Sequence, residues 1–141
     1  MLNKLKDFSN TSIQFINPPT LYDPTPNAYS HIAVISPRNR MIHISGQGGE
    51  NNEGLLSLNF EEQIIQCFSN IQSALNAVQA TLGDIAALRI LIVEHNREKH
   101  NLLIKHMSKL WKNTPFPVCT LIPVEQLALP NMQIEIEVTA Y

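Results

Sequence analysis

Positive charge is scarce in this chain and nowhere concentrated. Ten Lys and Arg residues face twelve Asp and Glu, for a net charge of −2. No Lys/Arg cluster is present, so the electrostatic grip on phosphates that nucleic-acid binding needs is not expected. Cysteine is scarcer still: Cys67 and Cys119 stand far apart and in no CxxC pair. That argues against a metal knuckle or a dithiol redox motif. Long apolar runs are missing too. Nothing approaches the roughly twenty residues needed to cross a bilayer, so no membrane partner is expected. The opening MLNKLKDFSNTSIQF has no apolar core of the secretory kind. A cytoplasmic, reduced protein is the expectation. The five histidines (31, 43, 95, 100 and 106) follow no ligand spacing. His100 and His106 are six apart, which is not one helix face, and neither a metal site nor a cofactor is expected.

What is present reads as one globular domain. A chain of 141 residues with 44% apolar residues can bury a real core. Charged residues make up only 16%, which hints that some surface is hidden in an oligomer. Residues 1–16 form an N-terminal extension, polar to residue 11, with a possible first strand over Ser12–Ile16. Residues 17–141 form the domain. The proline-rich NPPTLYDPTPN from Asn17 to Asn27 is an extended connector. Tyr29–Ile35 and Met41–Ser45 read as a hairpin around SPRNR. Three of the five glycines follow, within Ser45–Gly49. No Gly-Lys-Ser/Thr accompanies them, so this is no phosphate loop, but glycine permits close approach of another group.

Asn59–Leu82 carries the clearest helical stripe: Ile64, Phe68, Ile71, Leu75, Val78 and Leu82. Asn59 and Glu62 suit a capping box, and Gly83 suits a left-handed stop. Cys67, beside that stripe, reads as core filler. Ala87–Val93 is a strand buried on both faces, interrupted by Arg89, which needs an acid such as Glu137 or a neighbouring chain. Arg97–Trp111 is a second helix. Val118–Val124 and Met132–Ala140 close the sheet, for a β-β-β-α-β-α-β-β order. Two helices cover one face only. The other face, with Val34, Ile44, Leu91 and Ile122, needs cover, and a second copy of the chain is the simplest.

The last strand alternates strictly. Met132, Ile134, Ile136 and Val138 share one face; Gln133, Glu135, Glu137 and Thr139 share the other. Glu135 can be a general base in a pocket wall shared with Cys119, or an ordinary solvated residue. Cys119 can be a nucleophile if His31 or His43 activates it, or a small hydrophobe filling space.

Several segments carry a resemblance: Tyr29-Ser30, Ser45-Gly46-Gln47, Phe60 to Gln63, Asn70, Leu75, Gly83-Asp84, Phe116-Pro117, Leu127-Ala128-Leu129-Pro130 and Ile134-Glu135-Ile136-Glu137. In this order and spacing they resemble the reactive intermediate deaminase family (Rid, or YjgF-like), from about Asn17 to Tyr141. The resemblance implies a chorismate-mutase-like α+β fold: a mixed six-stranded sheet with two helices packed on one face. It also implies a homotrimer with ligand clefts between subunits. The implied chemistry is hydrolysis of imines and enamines, above all 2-iminoacids, without metal or organic cofactor. In that scheme an arginine grips the substrate carboxylate and a glutamate handles water. Main-chain groups orient the substrate and a tyrosine lines the cleft.

By the same resemblance, Tyr29 is the cleft tyrosine, Glu135 the glutamate, and Ser45 and Gly46 the lining loop. The arginine is missing: Cys119 takes its place, and Leu121 the place of a frequent cysteine. Losing a bidentate charged contact typically costs on the order of 2–5 kcal/mol. A standard 2-iminoacid substrate is therefore not expected unless Arg89 supplies the anchor. The expectation is a hydrolase or deaminase for an imine-, enamine- or amide-like metabolite. A catalytically silent trimeric ligand-binding protein is the alternative. Ribonuclease activity, claimed for some family members, is disfavoured by the mildly acidic charge.

Overall fold

The computed structural model describes residues 12–36 and 40–141. Six strands and two helices follow the expected order. They are β1 (Ser12–Ile16), β2 (Ile32–Ser36), β3 (Ile42–Gln47), α1 (Phe60–Ala77), β4 (Ile85–Val93), α2 (Arg97–Leu110), β5 (Val118–Val124) and β6 (Ile134–Ala140). The α+β architecture is the one the sequence implies, with parallel and antiparallel pairs mixed. Four strands are bonded in the order β3-β6-β4-β5, and β1 pairs with β2.

The expected hairpin is not seen as a ladder among the described residues. β2 starts three residues late, at Ile32, and pairs antiparallel with β1, while β3 pairs with β6. The preceding Tyr29-Ser30 is held elsewhere, as described below. Residues 37–39 of the intended turn, and residues 1–11, lie outside the described residues.

Helix α1 begins as its sequence dictates. The Asn59 side chain accepts the Glu62 N–H at 3.0 Å, satisfying one orphan donor of the first turn. The capping box closes through an intermediary. Glu62 takes the Ser57 hydroxyl, and Ser57 Oγ accepts the Asn59 N–H at 3.1 Å. The helix stops at Ala77, short of the expected Leu82. Gln79, not Gly83, adopts the left-handed conformation, with φ 57°. The Ala80 N–H then reaches back to Leu75 O at 2.9 Å, and Ala80 is buried. This is the Schellman pattern, with apolar burial of Ala80 offsetting the cost of a non-glycine residue at φ > 0. Arg40 donates to the freed carbonyls of Val78 and Gln79 at 2.6 and 3.3 Å.

The core lies between the helices and one face of the four-stranded sheet. Ile64, Ile71 and Leu75 of α1 are fully buried. Leu103 and Met107 of α2, with Trp111 just beyond, join them. Phe68 and Trp111 meet edge to face at 5.9 Å, a favoured aromatic geometry. The sheet contributes Ile134, Ile136 and Val138 from β6 and Leu88, Ile90 and Ile92 from β4. Ile44 belongs to this core as well. It is therefore removed from the open face of the four-stranded sheet, where Ile122 is exposed and Leu91 is half-buried; Val34, also exposed, lies on β2 in the β1–β2 pair.

Candidate active site

Strand register decides which candidate residues can meet. Glu135 pairs with Leu91, which pairs with Ile122. Side chains of directly paired residues share a face, so Glu135 stands on the open face. Cys119 pairs with Leu88, which pairs with Val138, and Leu121 pairs with Ile90. Those partners are core residues, and both Cys119 and Leu121 pack against the core. Within one chain, then, Cys119 and Glu135 leave opposite faces of the sheet and do not form the expected common wall.

The first half of the site surrounds Glu135. Between Ile44 and Gln47 the β3–β6 register slips, so that Ser45 and Gly46 face the single residue Glu137. Such a bulge re-aims the strand and takes two residues out of the ladder. It brings Gly46 beneath the Glu135 carboxylate. A Cβ on Gly46 would lie 1.7 Å from Glu135 Oε1, so only glycine admits the carboxylate there. Asn70 of α1 holds the next stretch, donating to the carbonyls of Gly48 and Glu50 at 3.0 and 2.8 Å. Glu135 is half-buried. Among the described residues, no hydrogen bond or ion pair engages its carboxylate. Neither oxygen is among the solvent-sealed, unpartnered atoms of the described residues, so water reaches this carboxylate.

Substituting Gly46→Ala tests the arrangement. The clash is with the flexible end of a side chain, so the fold is expected to survive while the carboxylate is displaced. A misplacement of this size costs on the order of 10²-fold in turnover. Unchanged turnover in a folded variant would detach Glu135 from the chemistry.

The second half lies at the start of β5. Ser30 bridges to Val118. Its N–H donates to Pro117 O at 3.0 Å and its hydroxyl to Phe116 O at 2.5 Å. This fixes Tyr29 beside that strand end. The Tyr29 phenol pairs with the phenol of Tyr22. His31 packs edge-on to both rings, at 5.0 Å from Tyr22 and 5.4 Å from Tyr29. His31 Nε2 is also 2.8 Å from Tyr22 O. Tyr22 went unmarked in the sequence because it sits in proline-rich connector text. Its spacing from Tyr29, within NPPTLYDPTPNAY, was the only signal.

Between the halves, Arg89 pairs with Glu137, at 3.4 Å, as its place in the strand suggested. His43 stands 3.6 Å from the same oxygen and 3.1 Å from Thr139 Oγ1. Both ion-pair partners are substantially exposed, so the pair adds little stability. Arg89, Thr120, Glu137, Thr139 and Cys119 line a shallow hollow of about 160 Å³. Neither His31 nor His43 makes a bond to Cys119. Burial alone pushes its thiol from 9.0 up to about 12, the reverse of what a nucleophile needs. Cys67 is raised too, by burial and then by the Glu50 and Glu135 carboxylates. Its thiol donates to Ile134 O at 3.8 Å, in keeping with core filler.

The sign of the Cys119 shift gives a pH dependence. Stability from keeping this thiol protonated is fully present below pH 9.0 and is lost as pH rises toward about 12. Iodoacetamide is expected to label Cys119 far more slowly in the folded protein than in an unfolded control, read by mass spectrometry of the labelled peptide. Labelling at the unfolded rate would reinstate the residue as a nucleophile.

The two halves are separated along the strands. Tyr29-Ser30 lies at the Val118–Ala87–Thr139 row, and Glu135 four residues further along β6. At roughly 3.4 Å per residue that is about 14 Å, too far for one small ligand to touch both in one chain. No group of three or more His, Cys, Asp or Glu residues suited to a metal ion occurs among the described residues. No described helix is long and apolar enough to cross a membrane.

Comparison with known proteins bears on the family and the fold. The family model described as Endoribonuclease L-PSP matches residues 22–141. The Rid-family protein YyfB from Yersinia pestis, of unknown function, is 30% identical with a TM-score of 0.86. The match covers 91% of this chain and 97% of YyfB. YyfA of the same family and organism is 25% identical, with a TM-score of 0.66 over 92% of this chain and 98% of its own. The YjgF gene product of E. coli, 22% identical, shares the fold at a TM-score of 0.62, over 82% of this chain and 93% of its own. No curated protein matches. With a family match from Tyr22 to the last residue and a Rid structure superposing along nearly its whole length, the chain belongs to the endoribonuclease L-PSP family, the Rid (YjgF-like) proteins.

Proposed function

We propose that the protein is a small-molecule hydrolase of the deaminase type, acting on an imine-, enamine- or amide-like metabolite in a cleft between subunits of a homotrimer. The observation that carries this reading is the half-buried, unpartnered Glu135 carboxylate lying over Gly46. A carboxylate with no structural partner is available to take a proton. The roughly 14 Å between the tyrosine and glutamate halves supports a cleft completed by a neighbouring copy, Tyr29 coming from one chain and Glu135 from the next. The open face of the four-stranded sheet, with Ile122 exposed, and the exposed Val34 of the β1–β2 pair support the same assembly.

In this scheme Glu135 accepts a proton from water as the water oxygen attacks the C=N carbon. The resulting carbinolamine collapses to a carbonyl, releasing ammonia or an amine that carries the proton away. The main chain of Ser45 and Gly46, freed from the ladder by the bulge, orients the substrate. Tyr29, steadied by Tyr22, lines the opposite wall. On the family resemblance Cys119 takes the place of a carboxylate-binding arginine, and a protonated thiol cannot replace that fork. The substrate is accordingly one without a free carboxylate at that position, unless Arg89 leaves Glu137 to supply the charge.

A panel of imines, enamines and amides offered to the wild type and to Glu135→Gln tests the proposal. Turnover by the wild type that the variant lacks supports it. Equal inactivity of both on the whole panel points to the silent ligand-binding alternative. RNA cleaved by the pure protein and spared by Glu135→Gln would replace the small-molecule reading altogether.

A further inference from the structure

A hollow of about 670 Å³ opens at the end of the sheet where β6 begins. Its walls are mostly apolar, with Leu58, Val93, Leu127, Leu129 and Met132 among them. The volume falls within the roughly 300–1,000 Å³ of ordinary small-molecule sites. Register sets its place. Glu135 pairs with Leu91, and the Val93 N–H donates to Gln133 O at 2.9 Å. The Val93–Gln133 pair is thus two residues beyond the Glu135 row, roughly 7 Å along the strands. Leu91 and Val93 alternate with the core residues Ile90 and Ile92, so Val93 shares the face of Glu135. One small molecule can reach both.

The lining is held in place before any ligand arrives. Gln133 Nε2 donates to Leu58 O at 2.9 Å. The Met132 N–H donates to Leu129 O at 3.2 Å, and the buried Gln63 amide donates to Asn131 O at 2.9 Å. A preformed wall spares a ligand the cost of ordering it. Two features specify the occupant. Leu58 and Leu129 are 72% and 45% exposed. One exposed leucine is ordinary, but two at one concave site leave apolar surface for a ligand to cover. Glu94 is the charged side chain of the lining, and no Lys, Arg or His stands among the described residues that form it. The Lys99 ammonium nearby is turned away, onto Val93 O at 2.6 Å and over the Phe60 ring. An anion in the hollow would meet a carboxylate and no cation.

We infer that this hollow receives an apolar alkyl or aryl substituent of the substrate, while the reacting carbon–nitrogen bond lies at Glu135. The substrate class is a lipophilic imine, enamine or amide, neutral or cationic, with no carboxylate on that substituent. The inference deepens the hydrolase reading and rests on it for the reacting end alone. Water adds across the C=N bond of such an imine, which yields an apolar aldehyde or ketone and ammonia or an amine. The lack of a cation in the hollow is independent of Cys119, yet it points the same way as the missing arginine fork. Sequence pattern could not reveal the hollow, because Leu58, Val93 and Leu129 come from three connections or strand ends far apart in the chain.

The test is binding of butanamide, hexanamide and octanamide to the native full-length protein, followed by calorimetry or ligand-observed NMR. Affinity is expected to rise about fourfold for each added methylene, the ordinary gain for burying one. Hexylamine should bind at least as well as hexanamide, and hexanoate about tenfold more weakly or worse. Ala128 lines the hollow and is exposed, so Ala128→Trp should fill the space and abolish the dependence on chain length. Leu129→Asp should do the same by charge, and thermal melts confirm that each variant is folded. Affinity that is flat along the series, a slope that survives both substitutions, or hexanoate binding as tightly as hexanamide would overturn the inference. Turnover of imines of rising chain length separates it from the hydrolase reading. Rates indifferent to chain length would overturn the inference alone. Amides that bind with the expected slope, beside imines that are never hydrolysed, would overturn the hydrolase reading and leave the hollow's ligand class standing.

Discussion

Glu135→Gln is expected to lower turnover of a responsive imine or enamine about 10²–10⁴-fold, the usual contribution of a positioned general base. Its melting temperature should hardly move. The reason lies in the site. Glu135 makes no hydrogen bond or ion pair among the described residues, and the amide has nearly the same shape. Nothing structural is lost, while the proton acceptor is removed. A residue that mattered by packing would show the opposite pattern, with stability falling and activity following it. Parallel thermal melts and single-turnover rates on the two proteins separate these cases. An active Gln variant would contradict the assignment.

Gln63→Leu is expected to show that opposite pattern in pure form. Gln63 is fully buried in α1. Its Nε2 donates to Ser57 O at 2.7 Å and to Asn131 O at 2.9 Å. Its Oε1 accepts the Gln133 N–H at 2.8 Å. One amide therefore ties the helix to the connection before it and to the residue that leads into β6. Leucine keeps the volume but strands two carbonyls and one N–H. Each orphaned group costs about 1–3 kcal/mol, so the total loss is on the order of 3 kcal/mol or more. That is a large share of the 5–15 kcal/mol that typically holds a domain together. Urea unfolding of the variant should show a lower midpoint with the slope unchanged. A loss below about 1 kcal/mol would mean that water replaces the amide.

Period was legible in the sequence, and register was not. The alternation of β6 placed Ile134, Ile136 and Val138 in the core, and Glu135 and Glu137 opposite them. Likewise the stripe and cap of α1 were readable from Asn59 onward. By contrast, a one-residue change in strand pairing moves a side chain to the other face, and nothing in VCTLIPV announces its register against β4. Hence Cys119 and Glu135, adjacent in a sequence-based picture, emerge on opposite faces. The early end of α1 escaped notice because glycine at 83 is the conventional stop. A non-glycine residue took the left-handed position instead, with Ala80 buried behind it. The β1–β2 pairing escaped notice because the tight turn between two apolar runs favoured a hairpin. Two contacts formed by residues distant in sequence, Ser30 to Phe116 and Ser30 to Pro117, settle where Tyr29 goes.

Both halves of the proposed site gain meaning only if separate chains bring them together over the exposed face of the sheet. The mass of the native protein in solution, by sedimentation or native mass spectrometry, addresses this most directly. A single species at three times the 15.9 kDa chain mass, unchanged on dilution through the micromolar range, is the predicted result. A lone 15.9 kDa chain at the concentrations where turnover is measured would leave Tyr29 and Glu135 too far apart to act on one molecule, and would contradict it.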